Sequence, residues 1–210
     1  MQIKSKASYE QPKTGYVKAK CLSVVDGRYD KAVYNGIEKW TRRVFLIFEI
    51  NQKVTRGEYI GKNMIFPKEF TLSASPDSIL RKMLENWRKQ RFGEQIDPQG
   101  NIILMTKKKN EETGKIEEVP FEIESLQGLD CLLKFENVGK DKSYITITEI
   151  FKLPRNETPI ENENCLGYLP DSLARKIALR PEVNPDELSE PIRGYTDAYL
   201  GEDDDEEVPF

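Results

Sequence analysis

Histidine is absent from the 210-residue chain. That removes the commonest general base, the commonest zinc ligand and every Ser–His or Cys–His nucleophile pair. Cysteine is scarce: Cys21, Cys131 and Cys165 are odd in number and widely spaced, and no pair has metal-ligand spacing. Cys21 and Cys131 fall inside apolar, strand-like runs and read as buried free thiols. No apolar run approaches the ~20 residues of a membrane span. The segment Met1-Gln2-Ile3-Lys4-Ser5-Lys6 lacks the apolar stretch of a signal peptide. A cytoplasmic location without a membrane partner is therefore expected. No catalytic residue, metal ligand or cofactor is expected either, since no spacing points to a Lys- or carboxylate-based enzyme.

What the chain has in abundance is charge. Charged residues make up 32% and apolar ones 38%, which bounds the molecule to a modest core: one domain with extensions, or two very small domains. The charge is unevenly placed. From Leu153 to Phe210 there are 5 Lys/Arg against 15 Asp/Glu, a net of −10; the first 152 residues hold 27 against 21, a net of +6. A basic body attracts polyanions, and a tethered acidic tail can compete for the same surface. Excess lysine as ordinary surface charge is the plainer alternative.

Read in order, residues 1–14 are polar, contain Pro12 and suggest a flexible arm. Gly15 to Val25 alternates as a strand, with Val17, Ala19, Cys21, Ser23 and Val25 inward. Asp26 to Glu38 reads as a loop marked by Asp26-Gly27 and Asn35-Gly36, carrying Arg28, Tyr29, Lys31 and Tyr34. Lys39 to Ile50 is a second strand. Both of its faces carry apolar residues, so one is either a second buried side or a surface for flat ligands. A third strand runs from Asn63 to Leu72, and Pro67 argues that it is an edge strand or bulged. Ser75-Pro76-Asp77 opens a helix reaching about Arg91, with Ile79, Met83, Leu84 and Trp87 on its buried face. Residues 93–120 form an excursion with the makings of a hairpin. Leu129–Asn137 and Ser143–Phe151 supply the fourth and fifth strands. Beyond them, 153–200 is rich in Pro, Asn and Glu and is expected to be an extended linker, with a helical turn or two near Leu173, Ala174 and Ile177.

The last ten residues, 201–210, are the most distinctive stretch. Asp203, Asp204, Asp205, Glu206 and Glu207 lead into Val208, Pro209 and Phe210. Such a run cannot fold alone. An aromatic end beside carboxylates suits a basic-rimmed apolar pocket on another protein. A merely solubilising tail is the alternative.

This acidic tail with its Pro-Phe tip resembles that of single-stranded DNA-binding proteins of bacteria and their phages. Lys68-Glu69-Phe70-Thr71-Leu72-Ser73, Leu80-Arg81-Lys82 and Trp87-Arg88 look like the corresponding part of the phage-encoded OB-fold members. So does Gly128-Leu129-Asp130-Cys131-Leu132-Leu133, after Phe121-Glu122. The opening strand and the linker, which is not Gly- or Gln-rich, set the chain apart from the bacterial tetrameric branch. The order of three strands, a helix and two strands is that of the OB-fold. The expectation is thus a mainly β protein: a five-stranded Greek-key barrel over 15–152 with one helix between strands three and four, and a largely disordered acidic tail.

The resemblance implies non-sequence-specific binding of single-stranded DNA in replication, recombination or repair. It also implies recruitment of a polymerase, helicase or nuclease through the tip, in the host cytoplasm if the chain is phage-encoded; a homo-oligomer is left open. Aromatic rings stack bases and cations track phosphates. The candidates on strands two and three and nearby loops are Tyr34, Trp40, Arg42, Arg43, Phe66, Lys68, Phe70 and Tyr144. Trp40, Phe66 and Phe70 serve equally well as core. Arg42 and Arg43 point to opposite faces, so at least one should meet solvent. The alternatives are an OB-fold protein-interaction adaptor that binds no nucleic acid and, ranked last, a carboxylate-metal enzyme using Glu122 and Glu124.

Overall fold

The computed structural model describes residues 10–34, 36–139 and 144–188. The proposed tip, 201–210, lies outside them. β1 (Gly15–Tyr34), β2 (Ile37–Lys53) and β3 (Asn63–Thr71) form an antiparallel meander, followed by α1 (Ile79–Arg88). β7 (Asp130–Val138) and β8 (Tyr144–Lys152) rejoin this sheet on the other side of β1, giving the order β3-β2-β1-β7-β8. The chain is mainly β, as expected. Closure is not: no ladder joins β3 to β8 among the described residues. Instead Lys68 Nζ donates to Thr146 Oγ1 across the gap at 2.7 Å. Pro67 fits because β3 is an edge strand.

The inner face of the sheet holds the main core. Val44, Leu46, Phe48 and Ile50 of β2 meet Met64 and Phe70 of β3, Cys131, Leu133 and Phe135 of β7, and Leu80, Met83, Leu84 and Trp87 of α1. Each large apolar side chain removed from water contributes roughly 1.5–3 kcal/mol. Cys21 and Cys131 are buried there as free thiols. Burial pushes Cys21 up to about 12 and Cys131 well above the ordinary thiol range, which leaves both inert.

The helix starts later than its sequence suggested. Ser78, not Ser75, is the cap, its Oγ accepting from Arg81 N at 3.1 Å. The phase therefore places Leu80 inward and leaves Ile79 67% exposed, correcting its expected burial. The excursion is larger than a hairpin: β4 (Gly93–Ile96), β5 (Ile102–Lys109) and β6 (Ile116–Pro120) make a separate three-stranded antiparallel sheet. Two helix arginines mount it. Buried Arg81 pairs with Glu94 at 2.7 Å, and Arg88 bonds Thr106 and lies 4.3 Å over the Phe92 ring.

The larger departure follows β8. Residues 153–181 are not an extended linker but a strap laid across the outer face of β1–β3. Its helix α2 (Asp171–Ala178) presses Leu173 and Ile177, with Leu169, onto Phe45, Ile47, Val25 and Ile65. Of the two readings of the doubly apolar β2, the second buried side is the one realised. Few apolar residues in the strap do this work, and its Pro, Asn and Glu content disguised them. A short α3 (Pro185–Leu188) ends the described chain.

The strap is also pinned by polar groups. Glu49, 0% exposed, accepts from Asn63 Nδ2 (2.7 Å), Glu163 N (2.6 Å), Asn164 N (3.0 Å) and Asn164 Nδ2 (2.9 Å). Burial alone would raise its carboxyl, but these four bonds hold it below the ordinary value. At the other end Arg180 donates to Gly27 O (3.1 Å), Asp30 (2.5 Å) and Glu69 (2.8 Å). Gly27 must be glycine: a Cβ there would lie 2.8 Å from Arg43 Cβ and 2.9 Å from the Phe45 ring. The described end of the N-terminal arm is tied down as well, with Glu10 accepting from Thr55 N at 2.8 Å.

Candidate functional site

The segment expected to be a loop, Asp26 to Glu38, is instead the far half of a long ribbon. Asp26-Gly27 is a bulge, not a turn: between Asp26↔Val44 and Tyr29↔Arg42, β1 carries one residue more than β2. Arg28 adopts φ 57° there, its N donating to Asp26 Oδ1 at 3.0 Å. The strands then run on to Tyr34↔Ile37, with Gly36 at φ 79° in the turn. Among the described residues, the two strands are each other's only ladder partners over Tyr29–Tyr34 and Ile37–Arg42. The ribbon thus extends past the main sheet.

Pairing fixes which side chains share a ribbon face. Tyr29 lies opposite Arg42, Lys31 opposite Trp40, and Val33 opposite Glu38. Lys31 Nζ sits 5.5 Å from the Trp40 ring. Two aromatic rings and two cations therefore occupy neighbouring positions, on the side that continues the inner face of the sheet. Each cation has a carboxylate: Arg42 Nη2 meets Asp26 at 2.8 Å and Lys31 meets Glu38 at 3.0 Å. Arg42's hydrogen bond is the main reason Asp26 is held below its ordinary range. Both pairs are exposed and worth little by themselves.

The other sequence candidates are dispersed. Phe70 is in the core, and Phe66 packs edge-on to Phe135 at 5.0 Å between ring centroids. Phe70 is enclosed and Phe66 partly buried, because the inner face of β3 supplies the core. Arg43 is on the opposite face from Arg42, as alternation required, but it is spent on Thr71 at 2.7 Å beneath the strap. Lys68 is half-buried in the gap between β3 and β8, 5.8 Å over Phe70, and burial lowers its pKa. Tyr144 is exposed at the start of β8. The Tyr34 side chain lies outside the described residues.

Tyr29 and Lys31 were visible in the sequence as part of a mixed aromatic and basic loop. They were missed as site residues because their face depends on the bulge. Among the described residues no group of three or more Cys, Asp or Glu is placed to hold a metal ion, and no helix is long and apolar enough to cross a membrane. Compared with known proteins, the chain matches no family model, no curated protein and no solved structure.

Proposed function

We propose that this protein binds single-stranded DNA without sequence preference, and that the β1–β2 ribbon is its principal contact. The observation that carries this reading is the ribbon face on which Tyr29, Lys31, Trp40 and Arg42 place rings beside cations. Every base offers a flat face to stack, and a phosphate can replace the exposed carboxylates now beside Arg42 and Lys31. Support also comes from the strand order β3-β2-β1-β7-β8 with a helix after β3, the order of an OB-fold opened between its third and fifth strands. On this reading the acidic tip, Asp203 to Phe210, docks on a replication or repair protein, and the protein works in the cytoplasm. A protein-interaction adaptor is the second reading, favoured by the exposed Val33 and Ile37 near the ribbon's tip.

The test is tryptophan quenching on titration with poly-dT at two salt concentrations. The chain has only Trp40 and Trp87, and Trp87 is buried on the inner face of α1, so quenching reports on the ribbon. Quenching should occur, with affinity falling as salt rises. Arg42→Ala should flatten the log–log salt slope by about 0.7–0.9, one phosphate contact. An adaptor would give neither quenching nor salt dependence.

A further inference from the structure

At the opposite end of β1 from the ribbon lies a groove of about 700 Å³, lined by Lys13, Tyr16, Lys18, Gln52, Leu132 and Glu157 among others. Tyr16, Lys18 and Lys20 point to the outer face there, since Val17, Ala19 and Cys21 face the core. Among the described residues no helix covers this half of the outer face. Tyr16 is 61% exposed and its ring lies 6.0 Å from that of Phe151. Register places Tyr16 beside Lys134 of β7, and Lys18 beside Leu132, which in turn pairs with Phe151 of β8.

We propose that this groove is a second nucleotide-binding subsite, in which Tyr16, backed by the Phe151 ring, stacks a base and Lys13 and Lys18 hold the adjoining phosphates; the inference rests on the single-stranded DNA reading above. The chemistry fits a nucleic acid better than an apolar peptide, because an exposed ring is flanked by cations. Lys13 Nζ has no ion-pair partner among the described residues; only its backbone N is bonded, to Gln52 Oε1 at 3.0 Å. Lys18 Nζ is held by Glu157 Oε2 at 3.2 Å and by Thr158 O at 3.3 Å. Both of those acceptors belong to the strap, and Glu157 occupies the place a phosphate oxygen would take. The two subsites are separated by the length of β1 from Tyr16 to Lys31, on the order of 50 Å along the strand at ~3.3 Å per residue. A short oligonucleotide engages one of them and a long one engages both.

The experiment measures the affinity of the full-length protein for a short and a long oligo-dT, using wild type, Tyr16→Ala, Lys13→Glu and Trp40→Ala. Because Tyr16 and Lys13 are on the surface, thermal melts of both variants should match wild type. Tyr16→Ala should weaken binding of the long oligonucleotide at least about fivefold, the lower end of one lost stacking contact. Lys13→Glu should weaken it too and reduce its salt slope. Glu157→Gln, which frees Lys18, should tighten it. If Trp40→Ala weakens the long oligonucleotide while Tyr16→Ala and Lys13→Glu leave it unchanged, the groove inference fails and the ribbon reading stands. If wild type binds neither length, both fail.

Discussion

The outer face of the main sheet is divided into two halves with opposite fates. Over β1–β3 it carries Phe45, Ile47, Val25 and Ile65, and the strap seals it. Over β1, β7 and β8 it carries Tyr16, Lys18, Lys134 and Phe151, and Tyr16 remains open to solvent. The difference follows from composition. A row of branched and aromatic residues left in water would forfeit about 25 cal/mol for every Å² of apolar surface, so the chain supplies its own cover. A row that alternates rings with lysines satisfies itself in water and stays available. Rings interleaved with cations thus stay open on the bare half and on the ribbon.

Three substitutions sharpen this contrast, in descending order of effect. Phe45→Ala should be the most damaging, about 3–5 kcal/mol in urea unfolding, because it opens a cavity beneath α2 and removes the ring that lies 5.6 Å from Arg180. If it cost no more than a surface change, the strap would be an incidental contact.

Glu49→Gln should cost about 1–3 kcal/mol, since an amide cannot accept all four of the bonds made by the carboxylate. It also has a pH signature. The folded carboxyl is held below its unfolded value, so its contribution is fully present above the ordinary carboxylate range and is lost as pH falls through the lowered folded value. Wild type should therefore lose stability in acid faster than Glu49→Gln does, and parallel curves would place the strap's anchor elsewhere.

The smallest effect belongs to Tyr16→Ala. Stability should change by less than about 0.5 kcal/mol, as for a surface position. A loss of several times that would mean the bare half is core, not surface.

Much of this division was legible in the sequence, but its consequences were not. Alternation along β2 showed apolar residues on both faces, and Leu173 and Ile177 showed a helical face. Nothing in local pattern joins two segments more than 120 positions apart, so the strap went unrecognised. Glu49 was hidden for the same reason: a glutamate in a strand reads as solvent-facing until the donors of Glu163 and Asn164 reach it. The Asp26-Gly27 pair carried a true signal of irregular backbone, but turn and bulge share that signal. Reading it as a turn severed Tyr29 and Lys31 from Trp40 and Arg42. Phe70 went into the core and Phe66 packs, partly buried, against it, because a sheet this small draws on the apolar side chains of its edge strand. Trp40 and Arg42 lay beyond the reach of that core and so remained exposed or partly exposed.

The most direct test of the proposed nucleic-acid contacts is photocrosslinking of the full-length protein to an oligonucleotide containing 5-iodouridine, with adducts located by mass spectrometry. The account predicts adducts at Trp40 or Tyr29 on the ribbon and at Tyr16 on the bare half, all diminished at high salt. Adducts confined to Tyr168 on the strap, or to Tyr59 in the β2–β3 connection, would contradict it.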